Sequence, residues 1–459
     1  MRTPQVVLLP LYLELYEKPF PELKAKQAAF AEKVAGALRE AGLGVTIAEV
    51  SMREAQVVAA VQQAERSGAD AIVTLHLSYS PSGESVGPLS RTPLPVIMFN
   101  TTPGSFGQDA GRDELLENHG IHGVQDLANA LARWGKTPRI VTGQISSRVD
   151  VAEVVAWGRA AAAAHTLRTL RVGLTGEQFR GMLDFQVPFD ELRASIGLEV
   201  VPLPLAEIEA ACQEISEADI HEQLESDGET CELLLEPDVH RDSVRTYLAL
   251  KKLVQEKRLG AYTQNFLAFA ESQTAVVPFY GVSRLMQEGI GYAGEGDVLT
   301  AALVAALNQV APKVEFTEMF CPDFIERNVF MSHMGECNPA MAAENEEVGI
   351  AYQKFAFGRK DAAVFRFRHQ PGEATVVDLA PAPGGKFRII VSVVEILDLE
   401  PNAKISNPQF RMQPRLPLED FLTAYSENGG THHLAIIQGD VLEEVAKLAA
   451  LMQFEFVEV

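Results

Sequence analysis

Short apolar runs alternate with helical patterns along most of this chain, and this alternation constrains the fold more than any other feature. In the first third, the segments that read as strands rich in Val, Ile and Leu are 6–9, 45–48, 71–75, 95–99 and 139–142. The helical patterns between them are 20–41, 54–67 and 124–134. Strands joined through helices form right-handed βαβ units in a parallel sheet, and near-continuous apolar strands are typical of sheets covered on both faces.

The same pattern restarts after residue 169 and then changes character. The second set comprises strands at 170–174, 199–203 and 261–266 and helices at 243–257, 281–288 and 300–309. Beyond residue 328 the predicted elements are strands at 329–332, 364–369, 375–379, 387–399 and 433–438, a helix at 440–452 and a strand at 454–457. Frequent strands with few helices predict an antiparallel sheet or small barrel.

We therefore predict an α/β protein with three domains. Residues 1–168 and 169–327 would form two Rossmann-like domains, each around a parallel sheet. Residues 328–459 would form a C-terminal antiparallel β-barrel-like domain.

Composition narrows the function classes. Hydrophobic residues make up 47% of the 459 residues and charged residues 22%, which is typical of a soluble globular protein. The net charge of -23 argues against nucleic acid or an anionic membrane as a partner. The sequence has neither a secretory leader pattern nor an apolar run of about 18 residues, so we expect a cytoplasmic protein. Four cysteines without CxxC spacing predict neither a disulfide framework nor a structural zinc site.

The glycine-rich segment at 294–297 does not predict a nucleotide site. It reads Gly-Glu-Gly-Asp after a possible strand, and it places two carboxylates where a dinucleotide motif needs an uncharged approach to pyrophosphate. The sequence also has no Walker A pattern, so nicotinamide and ATP are excluded as expected cofactors. We interpret Glu295 and Asp297 as acids at a helix start, where the helix dipole favours negative charge.

Three short segments concentrate acids and histidines among small or apolar residues. They are 315–320, 332–337 and 429–433. A carboxylate in such surroundings needs a cation or hydrogen bonds, or its pKa rises. Two carboxylates and an imidazole that converge would suit manganese or magnesium, while isolated structural roles remain the alternative that spacing does not exclude. We interpret His333 as structural, because a continuing strand would turn it to the face opposite Glu336.

These segments resemble motifs of a known family. Residues 291–297 resemble the Gly-Phe-Ala-Gly-Glu-Gly-Asp segment of L-arabinose isomerases, and 316–318 is similar to the start of their Phe-Met-Glu-Asp segment. Residues 332–337 resemble Ser-His-Met-Leu-Glu-Val-Cys-Pro, 429–433 resemble Gly-Gly-Ala-His-His, and 118–123 resemble Asn-Gln-Ser-Ala-His-Gly. Because the matches keep the family's order over most of the chain, it is identified as a divergent member of the L-arabinose/L-fucose isomerase family.

The resemblance implies a fold, an assembly and a reaction. It implies two Rossmann-like domains and a C-terminal barrel, assembled as trimers or hexamers with active sites near subunit interfaces. It also implies that Glu318, Glu336 and His433 ligate a divalent cation, usually Mn²⁺, with Co²⁺ or Mg²⁺ as substitutes. The substrate would be a small open-chain sugar converted between aldose and ketose through a cis-enediolate, with Glu318 and Glu336 as the base and acid.

The expected sugar-binding residues are His119, His122, Lys354 and His432. The resemblance implies that a neighbouring subunit supplies the histidine matched by His122, and that His432 orients His433. Lys354 stands where the family has a fourth metal-ligating histidine, and a protonated lysine cannot ligate a metal. Lys354 would then bind an anionic substituent or a hydroxyl group of the substrate, unless the local register is wrong and it lies on a surface strand. His119 replaces a glutamine of the family.

The substitutions at Lys354 and His119 predict that the substrate is not L-arabinose.

Two interpretations from other functional classes remain open at this stage. One is a catalytically silent relative retained for assembly, which the lysine at 354 favours. The other is a sugar-binding protein whose two α/β lobes close on a ligand. Bound metal would separate the enzyme from both, and turnover would separate it from the silent relative.

Overall fold

The computed structural model describes residues 2–459, which divide into two compact units, 2–162 and 163–459. The N-terminal unit is built around a parallel sheet. Its elements are β1 (Gln5–Tyr12), α1 (Leu23–Glu40), β2 (Gly44–Ile47), α2 (Glu54–Arg66), β3 (Ala71–Leu77), α3 (Val86–Arg91), β4 (Val96–Asn100), α4 (Arg112–Glu117), α5 (Ile121–Arg133) and β5 (Arg139–Thr142). Helix α6 (Arg148–Thr169) begins in this unit and ends in the second. The strand order is β2-β1-β3-β4-β5, with parallel pairs, and β3 is buried along its whole length. Full burial of β3 is expected for a central strand covered on both faces.

The second unit opens with another α/β region. Its elements are β6 (Arg171–Thr175), α7 (Phe189–Ser195), β7 (Glu199–Pro202), α8 (Leu205–Glu214), α9 (Glu217–Thr230), β8 (Glu232–Leu234), α10 (Pro237–Glu256), β9 (Ala261–Gln264), α11 (Phe279–Gln287), β10 (Gly291–Ala293) and α12 (Val298–Leu307). Strands β10, β9, β6 and β7 form a parallel sheet in that order.

The C-terminal part of this unit is rich in strands. Its elements are β11 (Val314–Asp323), β12 (Asn328–Ser332), β13 (Gly349–Gln353), β14 (Ala362–Arg366), β15 (Gly372–Ala382), β16 (Lys386–Ile396), β17 (Gln409–Pro414), α13 (Leu418–Glu427), β18 (His433–Gln438), α14 (Leu442–Met452) and β19 (Glu455–Glu458). Strands β15-β18-β11-β12-β17-β16 form a ring that closes through antiparallel pairing of β16 with β15. Strand β19 adds in parallel to β16, and β14-β13-β8 form a separate small sheet.

Helix α12 connects the parallel sheet to the barrel. All ten of its residues are buried, as expected for a helix that is apolar on every side. It contacts β9 and β10 of the sheet and β11, β15 and β18 of the barrel. The N-terminus of α12 therefore lies where the carboxyl end of β10 meets the barrel strands.

The predicted fold class is confirmed: parallel-sheet α/β regions are followed by a closed antiparallel barrel. The division into three domains stays a prediction, and the first barrel strand, β11, begins before residue 328. Strand β11 was not predicted because glutamates interrupt its apolar pattern, and the predicted strand at 364–369 lies at Ala362–Arg366.

Within residues 2–459, none of the helices combines the length and apolar character that crossing a membrane requires.

Candidate functional site

Strand β11 brings together the acid- and histidine-rich segments that the sequence singles out. Glu318 pairs with Ser332 of β12 on one edge and with His433 of β18 on the other. The segment that follows β12 and the turn that precedes β18 consequently flank Glu318. Antiparallel pairing on both edges of one strand thus brings together segments that are more than a hundred residues apart in the chain.

The loop between β10 and α12 reaches the same place. Asp297 caps α12 by accepting a hydrogen bond from the Thr300 amide, as the helix-start interpretation predicts. Its other oxygen, Oδ2, lies 3.0 Å from His433 Nδ1. Gly296 has a φ of 82°, and a Cβ there would come within 2.7 Å of the Gln178 Cα, so the close approach of these two loops requires glycine.

Four side chains converge on one point at this junction. Ligand-type atoms of Glu295, Glu318, His432 and His433 all lie within 4.8 Å of one another. His433 Nε2 lies 3.0 Å from Glu318 Oε1 and 3.6 Å from Glu295 Oε2, while His432 Nε2 lies 3.8 Å from Glu318 Oε1. Two carboxylates and two imidazoles are a suitable donor set for a divalent transition metal.

Two of these atoms have no hydrogen-bond partner although they are buried. They are Glu295 Oε2 and His433 Nε2. A neutral His433 ring that donates its Nδ1 proton to Asp297 presents the Nε2 lone pair to the cluster, which is the usual arrangement of a metal-ligating histidine. Because buried polar atoms are normally paired, the two unpartnered atoms fit a cation held between them.

The charges of the cluster agree with this arrangement. Burial disfavours the charged form of Glu295, but the neighbouring imidazoles of His432 and His433, at 3.9 and 3.6 Å, outweigh it and lower the pKa to about 2. Burial likewise opposes protonation of His433, whereas Asp297, Glu295 and Glu318 raise its pKa well above the ordinary value. Protons on the imidazoles thus balance the carboxylates, and a bound cation would displace them.

Glu336 lies beside this cluster with partners of its own. It is 4% exposed, and its carboxylate is 2.6 Å from His333 Nδ1 and accepts a hydrogen bond of 2.7 Å from the Tyr292 hydroxyl. Burial opposes its ionisation, but His333 and Tyr292 lower its pKa. Glu336 is therefore an ionised, firmly held carboxylate, and its role as a metal ligand stays a prediction.

The position of His333 differs from the sequence interpretation. Strand β12 ends at Ser332, so the alternation of faces stops there and His333 turns toward Glu336 instead of away from it. Its other nitrogen, Nε2, lies 3.5 Å from Glu318 Oε1. His333 consequently bridges the two glutamates to which the sequence analysis assigns chemistry.

A cavity of about 60 Å³ opens beside these groups. Lys354 lines it and follows directly after β13, and its role in binding a substrate stays a prediction. The lining residues are Gln264, Phe266, Phe279, Glu295, His333, Met334, Glu336, Gln353, Lys354, Phe355, Ala356 and Phe357.

The remaining predicted sugar-binding histidines have different surroundings. His432 is partly exposed, and its Nδ1 lies 2.6 Å from Asp184 Oδ2. Burial opposes its protonation, but Asp184 and Glu295 raise its pKa to about 9. His119 and His122 belong to the N-terminal unit, where His119 Nε2 lies 2.8 Å from His122 Nδ1.

Sequence reasoning missed Glu295 as a member of the cluster and Asp297 as the partner of His433. A signal for both was available: the Gly-Glu-Gly-Asp segment follows β10, and ligands of open α/β sheets bind outside the carboxyl ends of parallel strands. The helix-dipole interpretation of these two acids accounts for the capping by Asp297 and is incomplete for Glu295, which belongs to the cluster.

Comparison with known proteins adds the family context. The model of the L-arabinose isomerase central domain matches residues 190–313, and that of the L-arabinose isomerase C-terminal domain matches 313–455. Together they cover more than half of the chain.

Similar whole proteins include three L-arabinose isomerases. That of Nocardioides sp. is 26% identical over 400 residues, which is 83% of this chain and 78% of the relative. Those of Salmonella arizonae and Aeromonas hydrophila are 25% and 26% identical, over 84% of this chain and 79% and 80% of their own lengths.

Among solved structures, the glucose-galactose binding protein GanP from Geobacillus stearothermophilus aligns over 68% of this chain and 92% of its own. The identity is 13% and the TM-score 0.17, a level of similarity from which no structural or functional argument follows.

Proposed function

The chain belongs to the L-arabinose isomerase family as a divergent member, and from this premise we propose that it is a metal-dependent aldose–ketose isomerase of an open-chain sugar. One observation carries the proposal: Glu318 and His433 meet Glu295 and His432 around a common point that leaves two buried ligand atoms unpartnered. A catalytically silent relative would not need to keep buried atoms unpaired, because each costs free energy of folding.

In this proposal Glu318, His433 and Glu295 hold the cation, and His432 lies at its exposed side. Mn²⁺ is the expected metal, with Co²⁺ or Mg²⁺ as substitutes, because the donors are carboxylate oxygens and imidazole nitrogens. When bound, such a cation polarises the carbonyl group of the sugar and stabilises the negative charge of an enediolate. Asp297 fixes the orientation of the His433 ring through Nδ1.

Proton transfer is the task of Glu318 and Glu336. In the aldose-to-ketose direction one carboxylate removes the proton from C2, the enediolate forms, and a proton returns to C1 while another moves from O2 to O1. His333 contacts both carboxylates and holds a proton between them, since Glu336 and Glu318 raise its pKa against the opposing effect of burial. The glutamates can therefore exchange roles as base and acid through one buried imidazole.

Substrate contacts complete the proposal. Phenylalanines of the cavity limit the access of water to the reacting carbons. We place His122 and His119 at the edge of the sugar pocket of a neighbouring copy, in a trimer or hexamer in the cytoplasm. Lys354 and His119 stand at positions where the family carries other residues, and they support a substrate other than L-arabinose.

The test is interconversion of pentoses, hexoses, deoxy sugars and acidic sugars with added Mn²⁺. Wild type, Glu336→Gln and the control Glu344→Gln are compared; Glu344 is an exposed glutamate a few residues away. We expect kcat to fall by at least about 100-fold in Glu336→Gln and to stay unchanged in the control. Chelation should abolish the activity of the wild type.

Turnover that survives chelation would contradict the role of the metal. Absence of turnover on every sugar, combined with absence of Mn²⁺ uptake, would contradict the isomerase and support a catalytically silent relative.

A further inference from the structure

The cavity beside the cluster has two chemically distinct parts. Phe266, Phe279, Phe355 and Phe357 give it apolar walls, whereas Glu295 and Glu336 mark the end where the proposed chemistry occurs. Among the lining residues described, Lys354 is the only lysine or arginine. Its ammonium group offers an anion a positive charge and three hydrogen-bond donors.

The charge of Lys354 is not compensated inside the protein. Glu295 and Glu336 line the same cavity, yet the ion pairs found within residues 2–459 do not include Lys354. The Glu336 carboxylate is instead occupied by His333 and Tyr292. Lys354 is an exposed residue and lines the cavity.

Two buried amides at the wall of this cavity each have one atom that makes no hydrogen bond within residues 2–459. Gln264 is 1% exposed, and the atom is its Nε2, whereas its Oε1 accepts from the Tyr262 hydroxyl at 3.3 Å. Gln353 is 8% exposed, and its Oε1 acceptor is unpartnered, although its Nε2 donates to the Met334 carbonyl. Buried polar groups without partners are rare, so a donor and an acceptor at the wall of one cavity indicate groups that a ligand satisfies.

We propose that Gln264 and Lys354 form a subsite for an anionic group, a carboxylate or a phosphate, at the end of the sugar remote from the reacting carbons, with Gln353 accepting from a sugar hydroxyl. The inference rests on the proposed isomerase function, which places C1 and C2 at Glu318 and Glu336. Like charges keep an anion away from those glutamates, so its place is at the lysine end of the cavity. The substrate class is therefore the acidic aldoses.

Binding without turnover tests this subsite. The probes are matched non-isomerisable polyols measured by calorimetry on the Mn²⁺-loaded protein: gluconate against glucitol for a carboxylate, and ribitol 5-phosphate against ribitol for a phosphate. We expect the wild type to bind at least one anionic probe about tenfold or more tightly than its neutral counterpart, because hydrogen bonds to charged groups are the stronger ones. The probe that shows the preference identifies the anion.

Variants locate the effect. Lys354→Gln should reduce the preference to within about twofold, and Gln264→Leu should weaken it in part. Lys404→Gln is the matched control, because Lys404 is an exposed lysine outside the cavity lining. Equal affinity for charged and neutral probes would overturn the proposal. A preference that survives Lys354→Gln would also overturn it, since the anion would then bind elsewhere, including at the metal.

The outcome separates this inference from the isomerase itself. Turnover of neutral sugars with a normal dependence on Mn²⁺ and on Glu336, but without any charge preference in binding, would overturn only the anion subsite. A charge preference that depends on Lys354, in a protein that turns over no sugar, would support the subsite and contradict the isomerase.

Discussion

Two groups of carboxylates and imidazoles in the second unit have similar composition and opposite character. One is the cluster of Glu295, Glu318, His432 and His433. The other is centred on Asp227 of α9, which contacts His240, Tyr280, Gln223 and Arg284. Both contain charged groups that are at least partly buried, although His432 of the cluster is exposed, so burial of charge by itself does not distinguish them.

Hydrogen-bond satisfaction distinguishes them. Asp227 is fully buried, and its Oδ2 lies 2.7 Å from His240 Nε2 and 2.6 Å from the Tyr280 hydroxyl. Its Oδ1 accepts from Gln223 at 2.8 Å and from Arg284. Every acceptor site of this carboxylate is filled by residues of the α9–α11 region, which is the pattern of a structural network.

The cluster at β11 and β18 leaves atoms without partners instead. Glu295 Oε2 and His433 Nε2 are buried and unpartnered, and Glu295 also lines the cavity. A buried charge whose hydrogen bonds are all made by protein groups stabilises the fold, whereas a buried charge with an unfilled hydrogen-bonding position beside a cavity indicates a ligand. Four predictions test this distinction.

The largest effect on the free energy of unfolding is expected at Asp227, whose hydrogen bonds are all made by protein groups. Asp227→Asn leaves Arg284 and His240 without their buried anion, so the free energy of unfolding should fall by about 3–5 kcal/mol at neutral pH. Denaturant unfolding measures it, with Glu222→Gln, an exposed position on the same helix, as the control. If Asp227→Asn proved as stable as the control, the network would not be structural.

At the cluster around Glu318 the main effect is expected on metal affinity and not on stability. Glu318→Gln should lower the affinity for Mn²⁺ by at least about 100-fold, because an amide oxygen replaces a charged ligand. In the metal-free protein Glu318 lies 3.0 Å from His433 Nε2, so the variant should also lose stability, but less than Asp227→Asn because Glu318 is only partly buried. Calorimetric titration with Mn²⁺ measures the first quantity. A variant that binds Mn²⁺ normally would remove Glu318 from the site.

A smaller effect is expected at Asp297, which contributes to both fold and site. Asn at this position keeps an oxygen to cap α12, but its amide nitrogen cannot accept the proton of His433 Nδ1. Asp297→Asn should therefore weaken Mn²⁺ affinity by about 10–100-fold and leave helix content unchanged. Loss of helix content in circular dichroism, or unchanged metal affinity, would contradict this division of roles.

The smallest effect concerns pH. Burial raises the pKa of Asp227, but His240, Tyr280 and Arg284 lower it below its ordinary value of 3.8. A carboxyl group whose pKa is lower in the folded state contributes stability above its unfolded pKa and loses it as the pH falls through the folded value. The stability difference between wild type and Asp227→Asn should be constant from about pH 5 to 8 and shrink below about pH 4. A stability difference between wild type and Asp227→Asn that shrinks as the pH rises would contradict a lowered pKa of Asp227 in the folded state.

Much of the fold was predictable because its signals are local. The apolar strands of the parallel sheets, such as β3, are nearly uninterrupted, and helices separate them at regular intervals. The barrel was recognisable from frequent strands and Gly/Pro-rich turns. Strand β11 was not, because Glu315 and Glu318 occupy positions where a strand pattern requires apolar residues. A strand that carries charged residues at inward-facing positions lacks the apolar pattern from which strands are predicted.

Local patterns in the sequence predict the order of α/β and barrel regions, and motif resemblance selects Glu318, Glu336 and His433 as candidates for the chemistry. Only the tertiary structure decided which groups meet. Pairing of β11 on both edges joined Glu318 to His433, the end of β10 added Glu295, and the end of β12 at Ser332 turned His333 inward. The physical reason is that periodicity reports local conformation, whereas strand register and ring closure depend on partners distant in the chain.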